Sequence, residues 1–116
     1  MTLAGPAQAL IDRARRATLA TLAGDGHPRL VPICFVLMDE VLWSPLDEKP
    51  KSVTDVRSLA RVRDILERPD VAILVDRWSE DWSELGWLRL RGTARLVEPA
   101  DVPAAVIGAW RAKYPQ

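Results

Sequence analysis

The chain has 116 residues, 48% of them apolar, and its 16 lysines and arginines are balanced by 16 aspartates and glutamates. That length supports one domain with a real core and not two of ordinary size. The neutral balance points away from a disordered tail or a globally basic nucleic-acid binder, so any anion site is local.

Met-Thr-Leu-Ala-Gly-Pro at the start has neither the positive n-region nor the apolar h-region of a secretory signal. From Ala7 to Arg16, apolar Ala7, Leu10, Ile11 and Ala14 alternate with charged Asp12, Arg13, Arg15 and Arg16 at the spacing of a helix with one buried face. Thr18 to Leu22 alternates as a strand, and Gly24-Asp25-Gly26 supplies a tight connection into a second strand that begins at Arg29. Pro32 then fits only if its missing N–H faces an edge, a bulge or a ligand. The longest apolar run, Leu30 to Met38, is about half the length needed to span a bilayer as a helix, so it reads as a buried strand. Cys34, the only cysteine, lies in that run. It reads as a packed, inert thiol in a reduced, cytoplasmic protein, and internal disulfides and cysteine metal clusters are excluded.

Val41-Leu42-Trp43 follows the break at Met38-Asp39-Glu40 and completes a three-strand meander. From Trp43 to Arg63 the chain passes through a proline-broken loop carrying Lys49 and Lys51 and enters an amphipathic helix with Arg57, Arg61 and Arg63. Ser52 and Asp55 have the spacing of a capping box, which places the helix start near Val53. Unpaired N–H groups, the positive end of the helix dipole and the lysines would then converge on a phosphate-sized space; the competing reading is a solvated basic loop before an ordinary surface helix. Leu59, Val62, Ile65 and Leu66 mark the buried helical face, and Arg63 with Glu67 and Asp64 with Arg68 can pair at i, i+4. The helix ends before Pro69.

Val71 to Val75 is an uninterrupted apolar strand, of the kind buried on both sides or inside a barrel. Trp78 and Trp82, four residues apart among acidic residues, suit a helical turn that serves as a lid or a dimer contact. Trp87 to Val97 alternates as a fifth strand, with a bulge or bend expected at Gly92. Asp101 is placed to cap a last helix through Val102, Ala105, Val106, Ala109 and Trp110. Hairpin connections this short rule out a doubly wound parallel sheet and favour a mainly β chain with helices, an α+β antiparallel barrel or strongly curled sheet.

No hydrolytic constellation, Walker loop or GxGxxG fingerprint occurs. His27, the only histidine, lies in a glycine-rich turn and reads as exposed; Asp25, Asp39 and Glu40 read as solvated turn residues. Among the tryptophans, Trp43 has the best case for ligand contact because it directly precedes the basic loop.

Taken in order, Leu19 to Phe35, then Leu-Trp-Ser-Pro-Leu-Asp-Glu-Lys-Pro-Lys from Leu42 to Lys51, then Arg61 to Asp76, then Asp81 to Ala94, the chain resembles the pyridoxamine-phosphate-oxidase-like split barrels. Within them it is most similar to the branch of deazaflavin (coenzyme F420)-dependent enzymes. The resemblance covers roughly Ala14 to Val97. It implies a six-stranded FMN-binding split barrel over residues 1–116, and a homodimer with cofactor at the subunit interface, with neither nucleic acid nor membrane as a partner. The activity it implies is an oxidoreductase in which reduced F420 gives a hydride to a small organic substrate. The alternatives are an FMN-dependent oxidase or flavin reductase on the same fold, and a non-catalytic flavin, deazaflavin or haem carrier. By resemblance the cofactor ring lies along the backbone of Val31, Pro32 and Ile33, while Trp43, Ser44, Lys49 and Lys51 bind ribityl and phosphate groups. The family's further basic residue falls on Lys51, Arg57 or Arg61. No metal and no protein acid or base is implied. The chain stops at Gln116, where relatives usually continue into a further strand.

Overall fold

The structure, a computed structural model, describes residue 3, residues 5–46 and residues 58–115. Helix α1 spans Gly5–Arg13 and buries Leu10 and Ile11, one turn's worth of its apolar face. Strands β1 (Ala17–Leu22) and β2 (Pro28–Ile33) form the expected hairpin, in register from Ala17 opposite Ile33 to Leu22 opposite Pro28. Gly26 in its loop has φ +92°, a conformation that glycine adopts without steric cost. Strands β5 (Asp70–Arg77) and β6 (Gly86–Thr93) extend the sheet, whose order is β2-β1-β5-β6 with every pairing antiparallel. β2 is therefore an edge strand, which accommodates Pro28 and Pro32.

The apolar run Leu30 to Met38 is not one strand. It breaks at Cys34-Phe35, and its second part, β3 (Val36–Met38), pairs with β4 (Val41–Trp43) in a separate two-stranded sheet. The meander is thus two hairpins in two sheets. Asp39 and Glu40 close the second hairpin with φ +53° and +65°, the sign pattern of the turn whose twist matches two-residue hairpins. At the break Phe35 is fully buried while Cys34 is exposed, so the packed thiol expected from the sequence is corrected: the chain turns there, and only one of two adjacent residues can face inward.

Helix α2 (Ala60–Glu67) begins after an extended Leu59, not near Val53; the Ser52–Asp55 capping pair lies outside the described residues. The helix ends before Pro69 as expected. Helix α3 (Ala104–Lys113) follows Pro103, and Asp101 closes a short 3-10 turn, Pro99–Asp101, instead of capping the helix. β6 ends at Thr93, and Gly92 pairs regularly with Val71 without a bulge.

The core lies on one face of the four-stranded sheet. Ala17, Leu19, Ile33 and Val75 are buried there with Leu10 and Ile11 of α1 and Phe35, and Leu37 and Leu42 of the two-stranded sheet pack against them. The opposite face is open: Leu74 is exposed beside Thr18 of β1, on the strand expected to be buried on both sides or inside a barrel. α3 fastens the break between the sheets. Tyr114 Oη donates to Arg15 O at 2.8 Å and accepts from Phe35 N at 3.2 Å, and Lys113 Nζ donates to Phe35 O at 3.0 Å while lying 3.8 Å from the Phe35 ring centre. Burial, and then the nearby Arg15 charge, lower the Lys113 pKa.

Candidate functional site

A cavity of about 530 Å³ opens between the buried face of the sheet, the β3–β4 hairpin, α2 and the chain that leaves β6. Leu19, Ile33, Ile73 and Leu90 supply its sheet wall and Val62 and Ile65 its helical wall. Strand alternation explains the first set, because these residues face one way from their strands; the 3.6-residue period puts Val62 and Ile65 on one face of α2. The volume falls in the range of roughly 300–1,000 Å³ common for small-molecule sites, and an aliphatic wall with a few polar groups is the usual lining.

Four of the residues expected from sequence meet in this cavity: Ile33 from β2, Trp43 from the end of β4, Ser44 after it, and Arg61 from the first turn of α2. Val31 shares the inward face of β2 and is half-buried against the core, while Pro32 points to the other face and is exposed; neither side chain lines the cavity. Lys49, Lys51 and Arg57 lie outside the described residues.

Sequence reasoning missed that the chain leaving β6, from Arg91 to Val97, borders the cavity, with the Ala94 N–H bonded to Pro69 O at 2.9 Å. Arg91 itself stands opposite Ala72 in the outer-face row of the sheet, and both Arg91 and Arg95 are exposed. Glu40 also lines the cavity.

The helix-face ion pairs are corrected as well. Asp64 is buried and turns to the sheet, accepting from Arg29 Nε and Thr21 Oγ1, both at 2.7 Å. Arg68 donates instead to Ala23 O at 3.1 Å. No Arg63–Glu67 ion pair occurs among the described residues. His27 is exposed and its Nδ1 lies 3.3 Å from Asp25 Oδ1, which also accepts from the His27 backbone N–H. Among the described residues no three His, Cys, Asp or Glu side chains gather as a metal site, and no helix is long and apolar enough to cross a membrane.

The family model for pyridoxamine 5'-phosphate oxidase matches residues 4–116. The chain belongs to the pyridoxamine 5'-phosphate oxidase family. Its antiparallel α+β architecture, with three α-helices among the described residues, is consistent with that family's split barrel, a fold that commonly binds FMN. Comparison with curated protein sequences gives no match. Among solved structures, HutZ, the heme storage protein from Vibrio cholerae, superposes with a TM-score of 0.72 at 18% identity, covering 98% of this chain and 77% of that one. A conserved hypothetical protein from Mycobacterium tuberculosis gives 0.73 at 19% identity, covering 98% and 66%. A candidate pyridoxamine 5'-phosphate oxidase from Listeria innocua gives 0.65 at 17% identity, covering 96% and 79%. At these identities the likeness is one of fold. This chain of the pyridoxamine 5'-phosphate oxidase family spans two thirds to four fifths of those three structures.

Proposed function

We propose that this member of the pyridoxamine 5'-phosphate oxidase family is an oxidoreductase that uses the deazaflavin coenzyme F420. The observation that carries the reading is the cavity uniting Ile33, Trp43, Ser44 and Arg61. Its size and aliphatic wall suit a flavin-like ring, Trp43 offers an aromatic face, and the Arg61 guanidinium offers planar donors to a phosphate. Lys49 and Lys51 follow Ser44 in sequence and would complete the anion clamp, with Arg57 as the alternative to Arg61. The bound coenzyme supplies the hydride; the chain's own residues bind and orient it and keep water from the apolar wall. No side chain is assigned as acid or base.

The proposed assembly is a homodimer. The outer face of the sheet carries the cross-strand row of Leu30, at 68% exposure, with half-covered Ala20 and Ala72, and farther along it Trp87, at 66%, opposite Asp76; the loop after β5 holds out Trp78 and Trp82 at 71% and 79%. Apolar surface of this extent marks an interaction face. Two further readings have support. FMN in the same cavity, with oxidase or flavin reductase activity, follows from the fold. A carrier without turnover is favoured by the resemblance in fold to the heme storage protein HutZ.

Titration of the purified protein with F420, FMN and hemin, followed by tryptophan fluorescence, separates the three. F420 should quench with the highest affinity, and Trp43→Phe should remove most of that quenching. Tighter binding of FMN or hemin, or quenching unaltered in Trp43→Phe, overturns the corresponding part of the reading.

A further inference from the structure

Thr21 of β1 and Arg29 of β2 stand opposite each other in the inward-facing row of the sheet, and a single oxygen of Asp64 on α2 accepts from both, at 2.7 Å each. The Asp64 side chain is buried, so solvent competes little for these bonds. Val62 and Asp64 are the two buried residues of α2, and Leu59 before it supplies no side-chain cap. Apolar packing at Val62 is non-directional and tolerates sliding, whereas two short hydrogen bonds on one oxygen locate the helix over the β1–β2 hairpin. Farther along, the helix is tied at its end by Arg68 to Ala23 O.

The two elements joined in this way also carry two walls of the cavity. β2 contributes Ile33, in the same inward row as Arg29 and about 13 Å farther along the strand. α2 contributes Arg61, which is half-buried and stands about 4.5 Å along the helix axis before Asp64. Residues three apart on a helix are neighbours on its surface, so any shift of α2 at Asp64 moves Arg61 with it.

We propose that Asp64, held by Arg29 and Thr21, is a positioning residue that sets where Arg61 stands relative to the β2 wall and so fixes the distance between the ring site and the phosphate site of the cavity. The proposal rests on the coenzyme reading above, in which the ring meets the wall at Ile33 and Arg61 receives a phosphate. A ligand that has the ring and no phosphate draws nothing from that placement of Arg61.

Phosphate selectivity is the test, measured on the full chain as the affinity for F420 against its phosphate-free ribityl core and for FMN against riboflavin. Either pair serves, so the result does not depend on which coenzyme is preferred. Destabilisation alone reduces the fraction of binding-competent protein and weakens both members of a pair by one factor, which leaves their ratio unchanged. The wild type should favour the phosphorylated member, and Arg61→Gln should remove most of that preference. Asp64→Ala should lower the ratio by about tenfold, the worth of one hydrogen bond to a charged group. Arg29→Gln leaves Asp64 its bond from Thr21 and should lower the ratio by less; it decides if Asp64→Ala does not fold. A preference that is lost in Arg61→Gln but kept in the folded Asp64 and Arg29 variants overturns the positioning role and leaves the coenzyme reading standing. A wild type that binds neither pair or shows no phosphate preference, or an Arg61→Gln variant that retains it, counts against the anion clamp of that reading and overturns the positioning role with it.

Discussion

Arg29 and Asp64, 35 residues apart, meet through an Nε to Oδ2 hydrogen bond of 2.7 Å that ties α2 to the edge of the sheet. Thr21 Oγ1 donates to the same oxygen. The Arg29 bond is the main cause that holds the Asp64 carboxyl below its ordinary range, and the Thr21 bond adds to it against the opposing effect of burial.

A carboxyl whose pKa is depressed by folding contributes stability that is complete above its unfolded value, near 3.8, and is lost as pH falls through the lower folded value. Asp64→Asn should therefore be less stable than wild type at neutral pH, by a margin that is constant from about pH 5 to 7 and shrinks below about pH 4. Urea unfolding across that range measures it; a margin that widens on acidification would falsify the pairing.

Phe35 is fully buried where the chain passes from one sheet to the other. Phe35→Ala should cost about 3–5 kcal/mol in urea unfolding, through lost burial and the cavity left behind. Phe35→Leu keeps more of the volume and should cost less. Equal losses for the two variants would show that packing volume is not what holds this position.

Tyr114→Phe keeps the ring against Trp110, whose centre is 4.4 Å away, and removes only the hydroxyl shared by Arg15 O and Phe35 N. The loss should be about 1–3 kcal/mol, since partly buried backbone groups are left unpaired. Faster hydrogen exchange at the Phe35 amide is the specific readout. Unchanged protection there would mean the N–H has another acceptor.

Leu30 stands on the outer face of edge strand β2, opposite Ala20. If that face joins two copies, Leu30→Asp places a desolvated carboxylate in the contact, doubled by the two-fold axis. Light scattering should show a wild-type dimer and a variant shifted to monomer at the same concentration. A variant dimer of undiminished stability removes this face from the interface.

The hairpins, the end of α2 before Pro69 and the antiparallel α+β class were legible because turn chemistry and periodicity are local. The ordered residues from Leu19 to Ala94 were enough to suggest the family. What escaped depends on contacts distant in sequence. Asp64 has a plausible helical neighbour in Arg68, and nothing local reveals that its face of α2 lies on Thr21 and Arg29. The run through Cys34 is apolar on both sides of its bend, so hydropathy cannot show that the chain changes sheets there. Leu74 and Leu30 are apolar on an open face, where a pattern read from sequence assigns them to the core. At the cavity, Ile33, Trp43, Ser44 and Arg61 were expected from order along the chain and do line it, whereas the run from Arg91 to Val97 borders it because of where β6 ends.

The Tyr114 hydroxyl reaches Arg15 across 99 residues, which has a bearing on how the protein is made. Closing a loop of that length costs chain entropy before its contacts are gained, and folds dominated by such contacts form slowly. During synthesis, the α1–β1 junction emerges long before the residue that ties it down. The break between the two sheets can be fastened only after Tyr114 has cleared the ribosome, so the nascent chain carries an unfastened Phe35 segment throughout the synthesis of the residues between them.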